Sequence, residues 1–179
     1  MEQYPEAYID YLVYFHTDRD FFECHEVLED YWKEATNKQE RVWVGLIQIA
    51  VGLYHERRGN TAGAERMISS SWNILEKRRE EVEALGLDAE ALLEKLIERL
   101  QHLRQDVPYV DMNLPINDPD LQTAVAHKAA QTGITFGAET DFTDDMIVHK
   151  HTLRPERAEV IQERKLQQEE KAKRRQVHS

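Results

Sequence analysis

Cysteine is almost missing from this sequence. A single thiol, Cys24, stands among 179 residues. That excludes an intramolecular disulfide and makes a reducing, cytoplasmic setting the simpler expectation. Glycine and proline are scarce as well, seven and five, so the frequent turns of a sandwich or barrel have no source. No apolar run is long. The longest, Trp43 to Tyr54, is broken by Gln48 and falls short of the roughly 20 residues a bilayer span needs. No membrane partner is expected. The first residues, MEQYPEAYIDY, lack a basic start and an apolar stretch, so no signal peptide is expected. There is no glycine-rich phosphate loop and no G-x-S-x-G elbow. Basic charge is also in deficit. The net charge is −11, and residues 154–175, with eight Lys/Arg against five Asp/Glu, leave −14 on the rest. So acidic a body repels a phosphate backbone, and no nucleic-acid partner is expected unless the basic C-terminal segment acts alone.

What is there is helical periodicity. The length suits one well-filled core. Five segments before Asp106 read as the helices of a compact all-α bundle. The first runs from Pro5 to His16 with Tyr8, Tyr11, Leu12 and Phe15 inward, and the second from Asp20, a cap, to Ala35. The third, Gln39 to Arg58, is apolar almost all round, as a central helix should be. Gly59 suits a left-handed helix end, and Asn60 can cap a fourth helix reaching Leu85 with Ala64, Ile68, Leu75 and Val82 inward. Asp88 caps a fifth, striped by Leu92, Leu93, Leu96, Ile97, Leu100 and Leu103. Three parts are expected: a bundle domain over 1–106, a partly irregular extension over 107–154, and a charged helical or disordered tail over 155–179. The extension holds a proline-rich extended segment and one short helix from Asp118-Pro119 to Thr132, closed by Gly133.

Two anomalies mark where chemistry can live. On the second helix, Phe21, Cys24, Leu28, Tyr31, Trp32 and Ala35 form the apolar face, and Glu23, Glu26, Asp30 and Glu34 the polar one. His25 and Glu29, one turn apart, lie at the edge of the apolar arc, where a half-buried carboxylate needs a partner. On the third helix, Gly45, Gln48, Gly52 and His55 form one seam. Two glycines in register imply close approach of another backbone. If the second and third helices pack antiparallel, His25 and Glu29 face Gln48 and His55 in a buried polar cluster, with Glu26 next to it on the polar face and Phe22 and Trp32 packed around it. Such a cluster serves a structural network, a divalent-metal site on His25, Glu29 and His55, or a small-ligand pocket. The string His25-Glu26-Val27-Leu28-Glu29 is not the zinc-protease motif, which needs a second histidine where Glu29 stands. Cys24 reads as a packed thiol, and His149 and His151 as surface residues.

Phe22, the run His25 to Glu29, Trp32, Gly45-Leu46-Ile47-Gln48 with Ala50, His55, and Gly59-Asn60 with Gly63-Ala64 together resemble the bacterial and archaeal domain-of-unknown-function family 309. The resemblance covers about Phe15 to Leu75. It implies a small all-α bundle and points to His25, Glu26, Glu29, Trp32, Gln48 and His55, without implying an activity. The expected function is therefore a binding or scaffolding module for a protein partner or for a second copy of itself. The alternatives are a metal-dependent hydrolase with Glu26 or Glu29 as base, and a small-ligand binder. Whether the chain is an enzyme stays open at this level.

Overall fold

The structure, a computed structural model, describes residues 3–34, 37–145, 147–148, 166, 170 and 173. Among these residues there are seven helices and no strand: α1 (Glu6–His16), α2 (Phe21–Trp32), α3 (Arg41–Arg57), α4 (Thr61–Glu76), α5 (Arg79–Ala84), α6 (Ala89–Arg104) and α7 (Pro119–Thr132). The capping residues act as expected. Asp20, Asn60, Asp88 and Asp118 each accept a backbone N–H from the first turn of α2, α4, α6 and α7, satisfying donors that a helix start leaves open. Gly59 and Gly133 take the left-handed backbone at φ 88° and 77°, which glycine adopts without a Cβ penalty.

The apolar helix α3 is central, packed against α2 on one side and α4 on the other. α1 lies on α2, α7 on α1, and α6 on α4. Tyr8, Tyr11, Leu12 and Phe15 of α1 are fully buried. Their two hydroxyls keep hydrogen bonds in the core: Tyr8 donates to the Leu85 carbonyl at 2.8 Å and Tyr11 to that of Leu46 at 2.7 Å.

The expected fourth helix is two helices. α4 ends at Glu76, the chain turns through Lys77 and Arg78, and α5 carries Val82 into the core. No glycine or proline marks this break in the sequence; it comes from packing, since the redirected chain delivers Leu87, fully buried, to the base of α6. Ile97, expected on the buried stripe of α6, is 42% exposed.

The third expectation to change is the neighbour of the glycine seam. A Cβ on Gly45 would lie 2.6 Å from Leu75 Cδ2, and one on Gly52 would lie 2.7 Å from Ile68 Cδ1 and 3.3 Å from Met67 Cβ. The seam therefore faces α4, not α2. The three-residue connection Arg58-Gly59-Asn60 folds α4 back along α3. The missing side chains bring the backbones close enough for Ser71 Oγ to donate to the Gly45 carbonyl at 2.7 Å. Gly52→Leu is expected to destabilise by about 1–3 kcal/mol through overpacking. Gly52→Ala, whose methyl would press on Cδ1 and Cγ1 of the buried Ile68, should destabilise less than leucine in the same thermal melts. Equal melting temperatures for wild type and the leucine variant would mean that α4 does not lie on this seam.

Residues 107–117 form an extended strap over the bundle. The Asp88 N–H donates to the Pro115 carbonyl and the Asn117 N–H to that of Gly86, while Met112 and Leu114 are buried. The strap and α7 belong with the bundle in one compact unit, residues 1–141; residues 142–179 form a second. His149, His151 and most of the tail lie outside the described residues; Leu166, Glu170 and Lys173 are helical and exposed. Among the described residues no helix is long and apolar enough to cross a membrane.

Candidate functional site

On α2 the geometry of one turn brings His25 and Glu29 together. His25 Nε2 lies 2.5 Å from Glu29 Oε2, and His25 Nδ1 lies 3.3 Å from Glu26 Oε1. Both ring nitrogens therefore face carboxylates. The other oxygen of Glu29 meets Lys33 Nζ at 2.7 Å. The hydrogen bond from His25, followed by that from Lys33, pushes the Glu29 pKa down to about 2 against the opposing effect of burial. Glu26 is the surprise. Placed on the polar face by the helical wheel, it is only 4% exposed, because the packing of α2 covers more of its circumference than its apolar arc. Phe22 and Trp32 flank the site half-buried; the Phe22 and His25 rings stand 6.0 Å apart, and Trp32 Nε1 donates to the Lys38 carbonyl.

Gln48 and His55 belong elsewhere. They share the seam that faces α4. Gln48 Oε1 is buried there with no hydrogen-bond partner among the described residues, and His55 Nδ1 lies 3.2 Å from the Asn60 amide nitrogen. Burial, then Arg58 and Arg66, lower the His55 pKa. The set His25, Glu29 and His55 does not assemble: among the described residues no three His, Cys, Asp or Glu side chains stand close enough to hold a metal ion. The two halves of the expected cluster sit on different faces because α3 turns its seam away from α2. Cys24 is fully buried and its thiol donates to the Tyr11 carbonyl at 3.3 Å. Burial raises its pKa well above the usual thiol range, so it is a packed thiol rather than a nucleophile.

A second polar centre was not anticipated. Arg19, Arg57 and Arg99 are 1%, 7% and 6% exposed. Arg19 reaches the carbonyls of Ala138, Phe15 and Met112 and the Asn113 side chain. Arg57 donates to the Arg19 carbonyl at 2.8 Å and lies 4.6 Å over the Phe21 ring. Arg99 pairs with Glu56 and donates to the Val110 carbonyl. Asp111 accepts from Tyr109 Oη and from the Thr140 hydroxyl and amide. Burial pushes the Asp111 carboxyl up, but the Thr140 and Tyr109 hydrogen bonds more than offset it and leave its pKa below the usual value. A signal for two of these residues was available. Arg57 follows Leu46, Ala50 and Leu53, and Arg99 follows Leu92 and Leu96 and precedes Leu103. Each guanidinium thus sits at an inward position of its helix, where a charge is affordable only if paired.

Residues 8–67, which carry the α2 site and the α3 seam, match the domain-of-unknown-function family DUF309. The chain is also 44% identical over 173 residues to the uncharacterized protein YpuF of Bacillus subtilis (strain 168), an alignment covering 96% of this chain and 99% of that relative. The chain belongs to family DUF309. It is an all-α member in which the family segment supplies α1 to α3 and the start of α4, with the remaining helices and the strap added C-terminally. No solved structure matches the chain.

Proposed function

We propose that this DUF309 chain is a binding module whose outer α2 face docks a cationic segment of a partner protein. The observation that carries the reading is the setting of His25. With a carboxylate at each ring nitrogen and Lys33 holding Glu29 from the far side, the charged groups are oriented before any partner arrives, which lowers the ordering cost of association. Half-buried Phe22 and Trp32 supply apolar contact beside them. Glu23, Asp30 and Glu34 extend the negative field of a chain with net charge −11, which favours and steers a basic partner.

The test is photo-crosslinking with the full-length chain in the producing cell. A crosslinking residue at Asp30 is expected to give an adduct of one defined mass, and one at Glu90, exposed on α6, none. Glu29→Lys should abolish the Asp30 adduct while the helical spectrum stays unchanged. Equal labelling from both positions, or none from Asp30, would refute the docking face. An adduct with twice the mass of the chain would replace the foreign partner with a second copy.

A further inference from the structure

Between α6 and the strap lies a cleft of about 290 Å³ lined by Lys95, Glu98, Arg99, His102 and Val110 to Asn113. Its acceptors are already used, save the exposed carboxylate of Glu98 at the rim. The Val110 carbonyl takes a hydrogen bond from Arg99 and the Met112 carbonyl one from Arg19. Both oxygens of Asp111 are occupied by Tyr109 and Thr140. Glu98 leans on His102 at 3.8 Å.

Its donors are left over. Arg99 directs only Nη1 at Glu56 and Val110. Nε and Nη2 have no protein partner among the described residues, and neither is sealed from solvent. That edge of a guanidinium is the one that forks a planar oxyanion through two parallel N–H bonds. Arg99 is held in place by Glu56 and by the Tyr109 ring, 5.7 Å from its central carbon. Lys95 makes no ion pair or hydrogen bond among the described residues. Asn113 Oδ1 accepts from Arg19, so its NH2 group is the end left free to donate.

We propose that this cleft binds a small oxyanion, a carboxylate or phosphate group, on the free edge of Arg99 with Lys95 and Asn113 closing over it. Glu56 neutralises Arg99 itself and Glu98 and Asp111 share the lining with Lys95, so the cleft offers no net positive charge: Lys95 supplies a local one, and the forked edge of the guanidinium the geometry that selects an oxyanion. A surplus of donors around one buried, pre-oriented guanidinium has no use within the protein, whereas an anionic ligand satisfies all of it.

The experiment follows the side-chain Nε–H signal of Arg99 in 15N-labelled full-length protein. Inorganic phosphate and succinate are titrated separately against chloride at matched ionic strength. A saturable shift with phosphate, succinate or both is expected and tells the two sources apart. Lys95→Gln and Asn113→Asp, each checked for an unchanged backbone spectrum, should weaken binding roughly tenfold, the loss of one charge-assisted contact. The Asp variant keeps the acceptor that Arg19 uses while replacing the donor with a negative charge. The site is refuted if chloride moves the signal as far as the oxyanions do, or if neither variant changes the titration.

Discussion

Replacing Arg19 with methionine is expected to lower the unfolding free energy by about 3–5 kcal/mol. The side chain is 1% exposed and supplies four hydrogen bonds, to Phe15 at the end of α1, to Met112 and Asn113 in the strap, and to Ala138 beyond α7. Three of the acceptors are backbone carbonyls, and methionine leaves them without the partner that compensates their loss of water. Arg19→Lys keeps the charge but not the planar fork, so it should lose nearly as much. Arg19 also sits at φ 58°, a strained backbone for a side chain of this size. Arg19→Gly releases that strain and should be about 1 kcal/mol better than methionine. Urea denaturation followed by circular dichroism measures all three. A loss under about 1 kcal/mol for the methionine variant would mean that the strap holds to the bundle without the clamp.

That clamp marks the limit of what the sequence disclosed. Local rules were enough for the helix ends, because a cap is a property of four neighbouring residues: Asp20, Asn60, Asp88 and Asp118 each bond the N–H groups that their position predicts. The His25–Glu29 pair was legible for the same reason, one turn of one helix. The contacts that were misplaced are those between elements. The spacing of Gly45 and Gly52 announced a close approach but not by which helix, and the short Gly59-Asn60 turn, which makes α4 the antiparallel neighbour, was the deciding clue. The break between α4 and α5 has no local signal. Arg19, Arg57 and Arg99 became meaningful only when a strap with no period of its own supplied carbonyls, an aspartate and a tyrosine from far along the chain.

Lowering the pH from 6.5 to 4 is expected to cost this fold about 3 kcal/mol through His16 alone. The ring is fully buried. Nδ1 lies 2.7 Å from the Leu12 carbonyl and Nε2 accepts the Leu114 N–H at 2.9 Å, so the neutral ring with its proton on Nδ1 satisfies both. Phe136 stacks on it at 4.6 Å. Protonating Nε2 would set one N–H against another in a fully buried site. Burial, with Arg19 adding to it, pushes the His16 pKa down to about 4 despite the Leu12 hydrogen bond. The ordinary value in an unfolded chain is about 6.5. Between those two values the unfolded chain binds the extra proton and the folded one does not, so the stabilisation is complete above 6.5 and drains away as the pH falls toward 4. The depressed carboxyls of Glu29 and Asp111 act in a lower window, as the pH falls through 4.5 and below, while Glu56, whose carboxyl burial raises above the usual value, works in the opposite sense just above 4.5, so the histidine part is read from the difference between wild type and a His16 variant. His55, also depressed but only half-buried, adds a smaller part of it. His16→Gln can still donate to Leu12 and accept from Leu114 but does not titrate. It should be less stable than wild type at pH 7 and nearly flat between pH 6.5 and 4.5, whereas His55→Gln should keep most of the wild-type slope. Urea midpoints at four or five pH values decide it: a His16→Gln slope as steep as the wild type's would show that the ring does not hold its low pKa in the folded protein, and that the junction of α1 with the strap is wetter than this packing implies.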